Sequence, residues 1–400
     1  MADISVSFCG KKFINPFVIA ASPSSDSLEK VERAFQAGWG GAVLKTIEPE
    51  GKQRKLAEPN MGALDFMGRK QMAFYNYDLC TQLSLKELCD EIIYLKKNYP
   101  DRIVIASVMA GTEDEWRTIV QAVESAGADM IECSVSCPQG DASGKIPAAD
   151  PQLLEQFTKN IKKHIQKQTP IIVKLSPNVT DIAAVAKAAE QGGADSICAI
   201  DTVRSFIGID IETGKPKLNV DGKAALGGLS GPAIKPIALG CIVQIAKEVH
   251  IPIGGVGGIS NYADAIEFMM LGCQIVEICT AISRYGYGMI RDLCKGLSDY
   301  LDQKGYTEVS QIMGIALPMV VAQPELSRKW KAVNKTDFRK CKKCGACIIA
   351  CQDCGFGALT SDSEGTPYLE RNKCFGCGVC KTVCPFQCIE MIPVQKGECI

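Results

Sequence analysis

Short, nearly continuous apolar runs recur through the first three quarters of the chain, each followed by a turn and a stretch of helical periodicity. The first four are VIAAS (18–22), AVLKT (42–46), IVIASVM (103–109) and MIECSVS (130–136). Four more follow: IIVKLS (171–176), SICAID (196–201), IPIGGVGG (251–258) and IVEICTA (275–281). Strands that do not alternate apolar with polar positions are buried on both faces, as in a parallel sheet covered by helices. Eight such units predict an α/β fold, a closed (β/α)8 TIM barrel. An open doubly wound sheet is the alternative. It lacks support, because no strand–helix turn carries G-x-G-x-x-G, and GGVGGIS misses that pattern.

The intervening stretches read as helices. DSLEKVERAFQAGW (26–39) is expected to open on an Asp26 cap, and DEWRTIVQAVESAGAD (114–129) to end at a glycine past its last turn. Two connections, 47–102 and 203–250, exceed the usual length and predict extra elements over the barrel mouth. Within the second, 210–228 reads as a hairpin turning at Asp221-Gly222. The expected organisation is a barrel over 1–325, a polar linker over 326–336 and a second domain over 337–400.

That second domain carries two C-x2-C-x2-C-x3-C runs, Cys341 to Cys351 and Cys374 to Cys384. In the bacterial ferredoxin pattern three thiolates hold one cluster and the fourth reaches the other. The rule predicts one 4Fe–4S cluster on Cys341, Cys344, Cys347 and Cys384, and a second on Cys374, Cys377, Cys380 and Cys351. Gly345, Gly376 and Gly378 let the backbone fold tightly around them. Zinc also suits Cys-x2-Cys pairs, but two full runs, the second closed by Cys384-Pro385, argue for a ferredoxin-like α+β domain. Cys354, Cys388 and Cys399 are left over as packed or spare thiols.

Composition narrows the setting. A net charge of −1 gives no electrostatic case for nucleic acid or an anionic membrane. The opening MADISVSFCGKK has no apolar stretch of the secretory kind, and no run approaches a membrane span. Of 21 cysteines, 11 follow residue 340 and the rest are scattered, which points to a reducing cytoplasm instead of a disulfide scaffold.

In such barrels chemistry sits at the carboxyl ends of the strands. The informative residues there are Lys45 and Lys174, lysines inside otherwise apolar strands. A buried lysine needs an acceptor, either a structural ion pair or the polar edge of a bound cofactor. At the last two strands, GGVGGIS and ICTAI present backbone N–H groups and small residues where barrels bind phosphate. Lysines plus a phosphate site suggest FMN. His164 and His250 fall in helix-like or interstrand segments and read as surface or satisfied residues.

NPFVIAASP, AGWGGAVLKT, GADMIECSVSCPQG, VKLSPNVTDI, GGLSGPAIKPIAL, GGVGGIS and EICTAI together resemble the dihydroorotate and dihydropyrimidine dehydrogenase family. With its appended two-cluster domain, the chain is similar to the FMN/iron–sulfur subunits of bacterial NAD-dependent dihydropyrimidine dehydrogenases. The resemblance spans essentially the whole chain. It implies hydride transfer between FMN and a carbon–carbon double bond next to a carbonyl, with electrons relayed through the clusters. It implies that Lys45, Thr46 and Lys174 contact the flavin ring, with Ala21 and Ser22 packed beneath it. Ser230-Gly231, Gly257-Gly258 and Thr280-Ala281 would hold ribityl and phosphate.

Pyrimidine-binding members read the ring with asparagines, and here the corresponding positions are Ser134, Asp201 (followed by Thr202) and Thr112. The loop QGDASGKIPAADP (139–151) lacks the cysteine that serves many members as general acid, leaving Ser143 or Lys145 as candidates. Three readings stay open: the pyrimidine reaction, the same chemistry on another unsaturated heterocycle or enoate, and an electron-transfer subunit without its own substrate. With no dinucleotide fingerprint in the chain, a separate FAD- and NAD(P)H-binding subunit or a free ferredoxin is the expected partner, in an oligomer.

Overall fold

A computed structural model describes residues 2–66, 69–135 and 149–395. The chain divides into two compact units, Met1–Val320 and Val321–Ile400.

The first unit opens with a hairpin of β1 (Val6–Phe8) and β2 (Lys11–Phe13). Then come β3 (Phe17–Ile19), α1 (Leu28–Ala37), β4 (Gly41–Ile47), β5 (Met61–Phe66), β6 (Arg69–Asn76) and α2 (Leu85–Asn98). Next are β7 (Ile103–Val108), α3 (Glu113–Ala126), β8 (Met130–Ser134), α4 (Pro151–Lys162), β9 (Ile171–Leu175) and α5 (Ile182–Gln191). The rest are β10 (Ser196–Ala199), β11 (Val203–Ser205), β12 (Gly227–Ser230), α6 (Lys235–Glu248), β13 (Ile253–Val256), α7 (Tyr262–Met270), β14 (Cys273–Ile278), α8 (Thr280–Tyr285) and α9 (Ile290–Lys304). Eight parallel strands close the expected barrel in the order β3-β4-β7-β8-β9-β10-β13-β14, each drawn from one of the eight apolar runs.

The closure follows from burial on both faces: every residue of β7 and of β9 is buried. Helices cover the outside with one apolar face each. In α3, Trp116, Ile119, Val120 and Val123 recur at helical spacing and are buried, and Gly127 ends the helix at φ 95°. The repeated Ala-Asp bend after such helices has a mechanical reason. Asp129 accepts from the Val104 N–H at 2.8 Å, and Asp195 from the Ile171 N–H at 2.8 Å, so each acid ties its bend to the start of the preceding strand. At α1 the expected Asp26 cap is off by one residue. Ser27 holds the N-cap position, and Asp26 instead pairs with Lys30 at 2.6 Å, one turn on.

Both long connections contribute to a four-stranded sheet, β11-β12-β6-β5. The expected hairpin over 210–228 is only partly formed. Val220 and Lys223 pair across the Asp221-Gly222 turn, both turn residues having positive φ, but the ladder stops there and Gly227–Ser230 pairs with β6 and β11 instead.

The second unit begins earlier than expected, and residues 330–336 are not linker. They form β15 (Trp330–Thr336), paired antiparallel along its whole length with β18 (Ile389–Gln395). Between them lie α10 (Ala346–Asp353), the hairpin of β16 (Leu359–Ser361) and β17 (Pro367–Leu369), and α11 (Val379–Thr382). The strand was hidden because a polar residue, Asn334, takes a buried position and donates to Cys380 Sγ at 3.2 Å, so the run shows no apolar alternation. Among the described residues no helix is long and apolar enough to cross a membrane.

Candidate active site and cluster sites

A cavity of about 750 Å³ opens at the carboxyl ends of the barrel strands, within the usual range for a cofactor or ligand site. The turn after β3 brings Ala21 and Ser22 to it, β4 brings Lys45 and Thr46, and β8 and β9 bring Ser134 and Lys174. The connection after β10 adds Asp201 and Thr202, β12 and its turn add Ser230 and Gly231, and the turn after β13 adds Gly257 and Gly258. Thr280, opening α8, completes the set. The inserted sheet reaches the same cavity through Asn76 of β6 and Asp78 just beyond it.

Two expected residues do not belong to it. Thr112 is the exposed N-cap of α3: its hydroxyl accepts from the Glu115 N–H at 3.3 Å, and the Glu115 carboxylate accepts from the Thr112 N–H at 3.0 Å. T-x-x-E is the signature of this reciprocal cap and outweighs the strand-end assignment. Ala281 is buried in α8 and does not line the cavity. Ser143 and Lys145 lie outside the described residues.

Both strand lysines already hold partners. Lys45 is ion-paired with Asp78, whose Oδ1 is buried and has no hydrogen-bond partner among the described residues. Lys174 lies between two carboxylates, Glu277 at 2.6 Å and Glu132 at 3.2 Å. Glu132 also accepts from the Ser107 hydroxyl at 3.2 Å, and that hydroxyl is 2.9 Å from Thr46 Oγ1. A polar line therefore crosses the barrel floor through β4, β7, β8, β9 and β14. Glu132 and Glu277 were missed from sequence, although MIECS and IVEIC show the same sign as the lysines, a charge inside an apolar strand.

Burial pushes the Glu132 carboxyl up to about 8, with Lys174 pulling against it and Glu277 adding to the rise. Burial also opposes the charge on Lys174, but its acidic surroundings outweigh that and hold its pKa well above the ordinary lysine value. Donor atoms of Glu132, Cys198 and Glu277 lie within 4.8 Å of one another, a spacing that suits a metal ion. The Lys174 ammonium already serves as cation to both carboxylates, which removes the need for one.

At the other end of the cavity the chain approaches itself closely. Gly257 and Gly258 have φ of 127° and 79°, and a Cβ on Gly258 would meet the Lys235 nitrogen at 2.7 Å and the Gly231 oxygen at 2.9 Å. Only glycine allows this turn to fold against Gly231 and the start of α6. Beside it the Thr280 hydroxyl donates to Ser230 Oγ at 2.8 Å. Cavity size, buried polar atoms left without partners on Asp78 and Glu277, and this glycine cradle all fit a flat polar cofactor with a phosphate tail.

In the second unit Cys341, Cys344, Cys347 and Cys384 surround one small cavity, which brings the last residue of the second run to the first three of the first. Cys380 faces Cys351 and Cys374, and its sulfur accepts from Asn334 Nδ2 at 3.2 Å. Cys377 is exposed. Gly345 and Gly378 stand at φ 77° and 81° as the N-caps of α10 and α11. The spare Cys388 is buried with its sulfur 3.4 Å from that of Cys384.

Residues 3–301 match the family model described as dihydroorotate dehydrogenase, and residues 335–391 that of a 4Fe-4S dicluster domain. The chain belongs to the dihydroorotate dehydrogenase family. It is an FMN- and iron–sulfur-dependent oxidoreductase of the class acting on CH–CH bonds. Among its relatives is the NAD-dependent dihydropyrimidine dehydrogenase subunit PreA of Escherichia coli (strain K12), 37% identical over 99% of this chain and 97% of that one. The chloroplastic dihydropyrimidine dehydrogenase (NADP(+)) of Arabidopsis thaliana is 32% identical over 86% of this chain and 83% of its own. The catalytic subunit of dihydroorotate dehydrogenase B (NAD(+)) of Pyrococcus horikoshii is 33% identical over 78% of this chain and 98% of its own. That last match covers less of this chain than the first, as expected for a family whose shared part is the barrel.

Proposed function

We propose that the protein is the catalytic subunit of a dihydropyrimidine dehydrogenase-type enzyme. It interconverts a carbon–carbon single and double bond next to a ring carbonyl, with electrons passing through two 4Fe–4S clusters. The observation that carries this reading is the single cavity in which Lys45 and Lys174 meet the Gly257-Gly258 turn and the Ser230–Thr280 hydroxyl pair. FMN, when bound, supplies two-electron transfer to or from the substrate carbon. Lys45 and Lys174 bind its ring, Ala21 and Ser22 pack beneath it, and Ser230, Gly231, Gly257, Gly258 and Thr280 hold the ribityl chain and phosphate. The eight cysteines of the two runs hold the clusters, crossed as the spacing implies.

Asn76, Ser134, Asp201 and Thr202 read the substrate. The Asn76 amide donates to the Gly228 carbonyl at 3.4 Å and accepts from the Asp78 N–H at 3.1 Å, which fixes its orientation and leaves its second N–H and second lone pair for a cyclic amide, from a strand outside the barrel. Ser143 or Lys145 delivers the proton to the α-carbon. An NAD(P)H-oxidising FAD subunit or a ferredoxin feeds the clusters, in keeping with the word subunit in the names of two relatives, and the assembly works in the reducing cytoplasm. A second reading, a non-pyrimidine heterocycle or enoate, is favoured by Asp201, since a carboxylate accepts where an amide does both.

Anaerobic reoxidation of the viologen-reduced protein by uracil, thymine, orotate and unsaturated lactams or enoates separates these readings. Rapid reoxidation by uracil or thymine is expected. Reoxidation only by the other compounds replaces the pyrimidine, and turnover with none of them leaves an electron-transfer subunit.

A further inference from the structure

The floor of the cavity carries a charge imbalance that the flavin reading does not use. One ammonium, Lys174, faces two carboxylates, and the side chains are 9% exposed for Lys174, 2% for Glu132 and 0% for Glu277. Fully ionised, the three would leave one net negative charge out of reach of water, which is costly. Lys45 cannot supply the missing cation, because Asp78 holds it. Of the other groups packed around, Cys198 is a buried thiol whose proton burial retains, and Ser107 and Thr46 are neutral hydroxyls. Glu277 Oε1 is buried and has no hydrogen-bond partner among the described residues. Two carboxyls crowded on one lysine relieve this in the simplest way when one of them keeps its proton.

We propose that Glu132 and Glu277 hold one proton between them over Lys174, a buried proton store at the foot of the cavity. The proposal rests on the reading that FMN occupies this cavity, in that the store's charge is then felt by the flavin. Only a proton moves: solvent supplies it, an ionised carboxylate of the pair takes it up to become the acid, and no other bond is made or broken. The Ser107 and Thr46 hydroxyls, 2.9 Å apart, connect Glu132 to the cavity wall and provide the route. Electrons arriving in the cavity add negative charge, which strengthens the pair's hold on its proton. Reduction is therefore accompanied by uptake of up to one proton by the protein on the alkaline side, where the pair has begun to ionise. The upward displacement of Glu132 by burial agrees with this placement.

Redox-difference infrared spectroscopy of the anaerobically purified holoprotein tests it, together with the flavin midpoint potential as a function of pH. A carbonyl stretch of a protonated carboxylic acid, shifting in heavy water, is expected in the wild type and lost in both Glu132→Gln and Glu277→Gln. In Glu277→Gln the remaining carboxylate faces the ammonium alone and ionises. The same variant should flatten the alkaline pH dependence of the potential by up to one proton. Flavin-replete wild type with no deuterium-sensitive acid band, or a pH dependence unchanged in flavin-replete Glu277→Gln, overturns the store. Should the variants fail to retain flavin, the wild-type spectrum decides alone. Protein purified without flavin that still shows the acid band in a pH titration would defeat the flavin reading and keep the proton pair.

Discussion

The two units of the chain reach stability by different means. The barrel buries Phe17, Trp39, Phe35, Phe268 and dozens of aliphatic side chains in one continuous core, and its two buried strand lysines find carboxylate partners within the protein. Among the described residues, the core cluster of the second unit holds seven buried side chains, Cys347, Cys351, Ala358, Leu359, Cys380, Cys388 and Ile389, and four of them are cysteines. A core that small does not offset the entropy of ordering its chain, so metal binding there is folding free energy. The difference teaches that the cavity proposed for the flavin lies in an already complete scaffold, whereas the cluster sites are part of what makes their scaffold.

Removing iron gives the largest contrast. Chelation under reducing conditions, from about eight irons per polypeptide, should leave 321–400 open to limited proteolysis while 1–320 stays resistant. Equal resistance of both units after chelation would break the comparison. Within the barrel, Lys174→Ala leaves the buried Glu132–Glu277 pair without its cation and should cost about 3–5 kcal/mol in urea unfolding. Lys45→Ala should cost clearly less, because its single partner Asp78 is partly exposed at 20%. The reverse order would mean that the floor cluster is not a buried ion cluster at all.

A pH series sharpens the same point. Glu132 is raised to about 8 in the folded barrel against an ordinary 4.5. Below the lower value both states carry the proton. As pH rises toward 8 the unfolded chain releases it while the folded barrel keeps it, so stability is progressively lost over that window. The urea midpoint should fall from about pH 5 to about pH 8, less steeply in Glu132→Gln; identical slopes would place the proton elsewhere. The smallest expected effect is that of Thr112→Ala. Loss of the α3 cap should cost about 1 kcal/mol, with flavin content and turnover unchanged. A turnover defect without a stability change would return Thr112 to the active site.

Much of the molecule was legible along the chain. Eight apolar runs specified eight barrel strands, because a strand covered on both sides has no polar face to blur its signal. Cysteine spacing was equally plain, since a cluster accepts few arrangements of thiolates. Lys45 and Lys174 were visible as charges among apolar neighbours. The same pattern announced Glu132 and Glu277, yet a carboxylate in a strand acquires meaning only beside its partner.

What tertiary structure alone decided are the matters of distance between segments remote in sequence. Glu277 meets Lys174 across 103 positions, and Asn76 reaches the cavity from an inserted strand that follows no barrel rule. Thr112 looked like a strand-end residue until its hydroxyl was found capping a helix. Periodicity and spacing report on each element and its own surroundings. Which charges share a buried floor depends on closing the sheet into a ring, and only the closed ring puts two carboxylates on one lysine.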